Sequence, residues 1–169
     1  DLPKGPTVSV ADGKVSQNRT YQDLLKNKTD EQNFETLITS ELHKMDLNGK
    51  KNLYKSKDLY GSQSFSPDGK YLMLTTLKKP FSYLVPLNRF PQTSTVYDLN
   101  GKEIKVVNEV PLTEIMPKGF GAVRTGKRNM GWRDDQPSTL YYVEALDGGD
   151  PATKVPFRDA IFTWEAPFS

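Results

Sequence analysis

The spacing of apolar and polar residues changes from helical to strand-like within the first forty residues. Thr20 can cap a first helical turn, and we predict a short helix over residues 20–25. A second helix start is predicted at Thr29, with Phe34 as its apolar anchor. Residues 37–47 are then predicted to be extended. The pattern therefore indicates two short helices followed by β-structure.

Tight-turn motifs divide the rest of the chain. Asp-Leu-Asn-Gly at 46–49 contains the Asn-Gly pair that favours a type I′ hairpin turn, because both residues tolerate positive φ. The same four residues recur 52 positions later, at 98–101. Ser-Pro-Asp-Gly at 66–69 predicts another tight turn, followed by a strand over 71–77. A looser third copy begins at Trp132.

The order of strands and turns describes a four-stranded antiparallel meander in each repeat. Repeats of about 40–50 residues with this order are typical of β-propeller blades, with an unrelated β-sandwich as the alternative. The chain holds about three such blades, whereas propellers close with four to eight. We predict a mainly β fold, a partial β-propeller of about three four-stranded antiparallel blades. Its predicted divisions are an N-terminal extension with two short helices (1–36), a partial blade (37–57), a full blade (58–108), an insertion (109–127) and a partial blade (128–169).

Composition narrows the function classes. The chain has 23 basic and 21 acidic residues, which are mixed along its 169 positions, so we expect no nucleic-acid partner. It has no cysteine, which excludes disulfides, thiolate zinc sites and cysteine nucleophiles. No apolar run approaches the length of a membrane span, and no membrane partner is expected. Because the chain begins at Asp1, we interpret it as a trimmed or cleaved piece.

Several longer stretches carry more specific information than the turn motifs. They are residues 19–25, 65–71, 80–86, 89–91, 132–150, 158–159 and 166–168. Together they resemble the N-terminal propeller of the glutamyl endopeptidases, a branch of the prolyl oligopeptidase family that includes plastid enzymes of plants and bacterial homologues. The resemblance extends from about Gly5 to Phe168, and the run 132–150 is its most specific part.

The resemblance implies a two-domain serine peptidase in which a propeller precedes an α/β-hydrolase domain. This sequence contains no Gly-x-Ser-x-Gly nucleophile elbow, and its one histidine, His43, stands on a predicted strand beside Glu41. We therefore expect no peptide hydrolysis by this chain alone, no catalytic residue, no cofactor and no metal. The expected partners are the C-terminal α/β-hydrolase domain of the same parent chain, a peptide substrate, and further copies of the chain through open blade faces.

Arg124, Arg128 and Arg133 are the candidate substrate-binding residues. They cluster with Lys127 on the segment that leads into the third repeat. The implied glutamate specificity requires a group that neutralises the substrate carboxylate, and a planar guanidinium can do so through two parallel hydrogen bonds. The alternative is that these arginines are structural, for example through pairing of Arg133 with a neighbouring aspartate.

Two further patterns allow a binding or a structural interpretation. Asp-Gly-Gly-Asp at 147–150 resembles part of a calcium loop, but only two side-chain ligands are visible and turn geometry is favoured. Trp132, Tyr141 and Tyr142 could stack on a ligand, although packing between sheets is the favoured interpretation.

Two functions follow from these observations. The first is a non-catalytic propeller fragment of a serine peptidase that gates or binds peptide substrate for its hydrolase domain. The alternative is a stand-alone protein-interaction or ligand-binding module. Location is open, with a bacterial periplasm or export as one expectation and a plastid stroma or cytoplasm as the other.

Overall fold

A computed structural model describes residues 21–169, which form three antiparallel sheets of two, four and three strands. Each sheet is a meander whose strands pair in chain order, and none closes on itself. The mainly β prediction is confirmed, while the number of propeller blades stays a prediction. The strands are β1 (Ser40–Met45) and β2 (Lys51–Asp58) in the first sheet, β3 (Tyr60–Phe65), β4 (Tyr71–Leu77), β5 (Gln92–Asp98) and β6 (Glu103–Val110) in the second, and β7 (Arg128–Trp132), β8 (Thr139–Ala145) and β9 (Asp159–Glu165) in the third.

One α-helix is found within residues 21–169, where two short helices were expected in total. The predicted helix at 20–25 is wrong over its described part, because residues 21–25 are not helical and Asp23 has a φ of +57°. That left-handed conformation is incompatible with a right-handed helix. Thr20 lies outside the described residues. No helix of the described part is long and apolar enough to cross a membrane.

The second predicted helix exists as α1 (Lys28–Ile38). Its cap is Asn27 rather than Thr29, since the Asn27 side-chain oxygen accepts hydrogen bonds from the backbone N–H groups of Thr29 and Asp30, both at 2.9 Å. The helix also continues two residues into the segment predicted to be extended. Phe34 and Ile38, one turn apart, pack into the same apolar cluster, which accounts for the extra length.

The two Asp-Leu-Asn-Gly turns have matching hydrogen bonds. The Asp46 carboxylate accepts from the backbone N–H groups of Asn48 at 2.9 Å and Lys50 at 3.0 Å, and the equivalent bonds at 98–102 measure 2.8 and 2.9 Å. The predicted type I′ turn is wrong, because Gly49 has a φ of +83° but Asn48 has no positive φ. A three-residue loop that ends in a left-handed glycine explains this geometry.

The main core lies between the second and third sheets. Trp132 is buried there, and its indole N–H donates to the Ser64 carbonyl of the second sheet at 3.1 Å. The favoured packing role of Trp132 is thus confirmed. The buried residues of this core are Met73, Val96, Val107, Trp132, Leu140 and Phe168.

A second core joins α1 to the connection between β4 and β5. The Phe34 ring meets the Phe81 ring edge-on, with centroids 5.2 Å apart. Two polar contacts reinforce the packing, since the Lys79 ammonium lies 2.7 Å from the Glu35 carboxylate and the Tyr83 hydroxyl donates to Glu31 at 2.6 Å. The helix therefore fixes the long connection between the two central strands of the second sheet.

The meander topology places tight turns at one end of the molecule and long connections at the other. Two backbone hydrogen bonds agree with this arrangement. The Asp68 N–H donates to the Pro137 carbonyl at 3.1 Å between tight turns, and the Thr113 N–H donates to the Arg89 carbonyl at 3.0 Å between long connections. We call these the turn end, with turns 46–49, 66–69, 98–101 and 133–138, and the loop end, with connections 78–91, 111–127 and 146–158.

Asp68 joins the second and third sheets at the turn end. Its carboxylate accepts hydrogen bonds from the Ser66 hydroxyl at 2.7 Å and the Ser138 hydroxyl at 2.8 Å, and from the Lys70 backbone N–H at 3.2 Å. The bond from Ser66 contributes most, and together these donors hold the pKa of Asp68 well below its usual range.

This lowered pKa predicts a specific acid sensitivity. Because the folded-state pKa of Asp68 lies below the unfolded value, its contribution to stability is complete above about pH 4 and is lost as pH falls through the folded pKa. We expect the thermal midpoint to decline more gently below pH 4 in Asp68→Asn than in the unmodified chain. Asp134→Asn controls for loss of an exposed charge, and parallel curves for all three proteins would contradict the prediction.

Candidate functional site

The candidate site lies at the loop end, where the connection from β6 enters β7. The turn at 147–150 holds this segment, because the Val123 N–H donates to the Gly149 carbonyl at 3.0 Å. The Arg158 guanidinium adds a hydrogen bond to the Gly121 carbonyl at 3.2 Å. A chain segment without regular structure is thus fixed immediately before the predicted binding residues.

The carboxylate of Asp147 is the centre of this turn. Its side chain is fully buried, and its oxygens accept from Arg158 Nε at 2.5 Å and from the Gly149 N–H at 2.8 Å. The Arg158 guanidinium lowers the pKa of Asp147. These bonds engage the carboxylate in the turn itself, and no group of three or more potential metal-ligating side chains is present within residues 21–169.

Arg124 and Arg128 lie close together at the start of β7. The Arg124 guanidinium donates to the backbone carbonyls of Thr125, at 3.0 Å, and Lys127. Burial lowers the pKa of Arg124, and the positive charge of Arg128 lowers it further. Two guanidinium groups therefore share one region, and the observed hydrogen bonds of Arg124 go to backbone atoms.

Arg128 forms an ion pair with the Asp159 carboxylate, at the start of β9. The Arg128 side chain is only 12% exposed, whereas that of Asp159 is 53% exposed. The Nε–H of Arg128 is buried and has no hydrogen-bond partner. The site thus presents a fixed, nearly buried cation whose carboxylate partner remains open to solvent.

Lys127 connects the site to both neighbouring sheets. Its ammonium lies 4.2 Å from the centroid of the Trp164 ring and 5.2 Å from that of Tyr142, and it donates to the Val107 carbonyl at 3.0 Å. Burial lowers the pKa of Lys127. Tyr142 also stacks on Phe162 with centroids 5.3 Å apart. These contacts give Tyr142 and Lys127 packing roles.

Arg133 lies at the turn end, and Arg128 lies at the opposite end of β7. Its guanidinium forms two parallel bonds with Asp135, Nε to Oδ1 at 2.9 Å and Nη2 to Oδ2 at 2.6 Å. The structure therefore brings Arg124 and Arg128 together and places Arg133 elsewhere. Pairing with a neighbouring aspartate, the alternative for Arg133, is observed.

His43 lies on β1 and takes part in a local contact. Its Nε2 atom is 3.3 Å from the Glu41 carboxylate, and both side chains are substantially exposed. The structure therefore places His43 on the surface.

Exposed apolar side chains at the loop end were missed by sequence reasoning. The Ser82 hydroxyl donates to the Glu114 carboxylate at 2.6 Å and so joins the connections that carry most of them. The only available signal was the presence of large apolar residues within Pro- and Gly-rich connections. The exposed residues are Tyr83, Leu84, Leu87, Ile115, Phe120 and Phe157.

The fold and site define a mainly β segment with antiparallel meanders and a basic site at its loop end. The chain is 38% identical over 162 residues, 95% of its length, to "Probable glutamyl endopeptidase, chloroplastic" of Oryza sativa subsp. japonica. It is 37% identical over 166 residues, 98% of its length, to the protein of the same name from Arabidopsis thaliana. The predicted resemblance to glutamyl endopeptidases is confirmed.

The chain spans 17% of the length of each of these relatives. No family model matches the chain, and no solved structure matches it. The likeness therefore concerns one part of a much longer protein.

Proposed function

We propose that this chain is a non-catalytic β-propeller segment of a larger serine peptidase of the prolyl oligopeptidase type that cleaves after glutamate. The main support is that at least 95% of the chain aligns with proteins named glutamyl endopeptidase, although the chain spans only 17% of the length of each. The serine, histidine and aspartate of acyl transfer would lie on an α/β-hydrolase domain outside these residues.

The loop end is the proposed contact surface for that hydrolase domain. Leu84, Ile115 and Phe120 are large apolar side chains that are exposed in the long connections of this end, and such exposure favours a protein partner. Arg124 and Arg128 lie at the same end. In this position the segment would cover the active site and restrict access to peptides that fit beneath it.

Arg124 and Arg128 would neutralise the glutamate side chain of the substrate. Their positive charges lie close enough for Arg128 to lower the pKa of Arg124, and burial strengthens electrostatic attraction by excluding water. A carboxylate bound by a guanidinium in such surroundings is held both by electrostatic attraction and by directional hydrogen bonds. Arg133, the third predicted residue, is paired with Asp135 at the turn end and provides an internal comparison.

We expect Arg128→Ala in the complete natural chain to reduce the preference for glutamate over glutamine by about 10- to 100-fold, because a charge-assisted hydrogen bond is lost. Arg124→Ala should have a smaller effect in the same direction. The measurement is kcat/KM for peptide pairs that differ only at this residue. Arg133→Ala is the matched arginine control, and an unchanged preference in both Arg124→Ala and Arg128→Ala would exclude these residues from substrate recognition.

The alternative function is a stand-alone interaction or ligand-binding module. The exposed apolar residues of the loop end favour it, since they would suit any protein partner, including further copies of the chain. Reading the gene downstream of Ser169 separates the two proposals. A Gly-x-Ser-x-Gly motif followed by aspartate and histidine supports the peptidase, and an immediate stop codon supports the module.

A further inference from the structure

The ion pair between Arg128 and Asp159 points to an internal competitor of the proposed substrate-binding site. We propose that the Asp159 carboxylate is paired with the Arg128 guanidinium in the absence of substrate, and that the glutamate side chain of the substrate displaces this carboxylate on binding. This inference rests on the proposed function of Arg128. It adds a regulatory element, because the strength of the internal pair would set the affinity for glutamate.

The unequal exposure of the two partners identifies which one can move. Arg128 is 12% exposed and Asp159 is 53% exposed, so the carboxylate is already in contact with water and becomes better hydrated when it leaves the pair, while the guanidinium stays in place. Asp159 is also the first residue of β9, directly after the long connection 146–158. Its side chain can therefore change rotamer without disturbing the core.

The other arginine–aspartate pairs within residues 21–169 do not have this arrangement. In the pair of Arg158 with Asp147 the carboxylate is fully buried and the guanidinium is 46% exposed, so the anion is the fixed partner. In the pair of Arg133 with Asp135 both side chains are accessible, as expected for a surface contact. Arg128 with Asp159 combines a fixed cation with an accessible anion, which is the combination that an exchangeable site requires.

The surrounding charges favour replacement of the Asp159 carboxylate by a substrate carboxylate over departure of Asp159 alone. Arg124 adds a second positive charge beside Arg128, and Lys127 adds a third nearby. Lys127 interacts electrostatically with Glu144 and with Lys105, so in the described part of the chain the charged groups beside the cluster include the acidic Asp159 and Glu144 and the basic Lys105. An arriving carboxylate thus meets an excess of positive charge. It supplies the negative charge that is lost when the Asp159 side chain moves away from Arg128.

The test is calorimetric binding of two product peptides, acetyl-Ala-Ala-Glu and acetyl-Ala-Ala-Gln, to the complete natural chain. Asp159→Asn removes the competing charge at nearly constant size, and we expect about fivefold tighter binding of the glutamate peptide. Binding of the glutamine peptide should not change. Asp135→Asn, which removes the equivalent partner of Arg133, is the matched control and should bind both peptides normally.

Arg128→Ala separates failure of this inference from failure of the proposed function. If Arg128→Ala does not weaken binding of the glutamate peptide, the proposed function of Arg128 is wrong, and the inference falls with it. If Arg128→Ala weakens binding of the glutamate peptide but a folded Asp159→Asn does not strengthen it, the proposed role of Asp159 is wrong and the proposed function of Arg128 stands.

A second measurement uses the unmodified side chain and does not depend on the stability of Asp159→Asn. In chain labelled with carbon-13 at aspartate carboxyl groups, the Asp159 resonance is assigned by its absence in Asp159→Glu. Saturation with the glutamate peptide should shift this resonance, and the glutamine peptide should leave it in place. A resonance that is unaffected by both peptides would overturn the proposal.

Discussion

Phe168→Ala is expected to lower the free energy of unfolding by about 3–5 kcal/mol, the range for removing a large buried aromatic side chain. The Phe168 side chain is fully buried, and its ring lies 5.7 Å from that of Tyr71 in the second sheet and 6.0 Å from that of Trp132 in the third. Truncation leaves a cavity in the main core between the second and third sheets. Urea unfolding followed by tryptophan fluorescence measures the change.

Phe120→Ala is the matched control for this experiment. Phe120 has the same side chain but is fully exposed at the loop end, so its truncation should change stability by less than about 0.5 kcal/mol. Equal effects of the two substitutions would show that Phe168 does not hold the second and third sheets together.

The strands and turns were largely predictable because their determinants are local. Asp46 and Asp98 each organise a turn through bonds to residues two and four positions away, and such patterns are visible in the sequence. The burial of Phe168 was not predictable in the same way. Its partners Tyr71 and Trp132 are distant in sequence, and only the packing of two sheets brings them together.

The contacts of the candidate site were also difficult to predict from sequence. Three arginines within ten residues looked like one cluster, but an extended strand places Arg128 and Arg133 at opposite ends. Recognising all of β7 as a strand would have revealed this separation. The partner of Arg128, Asp159, could not be identified from sequence, because it follows a connection of irregular structure between β8 and β9.

The other large effect is expected for Gly149→Ala, which should destabilise the chain by about 2–5 kcal/mol, combining left-handed strain with overpacking. Gly149 has a φ of +81°, and an added Cβ would lie 2.1 Å from the Val123 carbonyl oxygen. The backbone would have to separate there, which breaks the hydrogen bond that fixes the segment before Arg124. Thermal and urea unfolding measure the loss of stability.

Gly148→Ala isolates the left-handed strain, so the difference between the two variants measures the steric part of the effect. Gly148 also has a positive φ, +67°, but an added Cβ would meet nothing within 4 Å. It should therefore show only the left-handed strain, about 1–2 kcal/mol. Because the Val123 contact positions Arg124, Gly149→Ala should also reduce the preference for glutamate in the complete chain, whereas Gly148→Ala should preserve it. Equal losses of stability in both variants would mean that the close approach to Val123 does not constrain this turn.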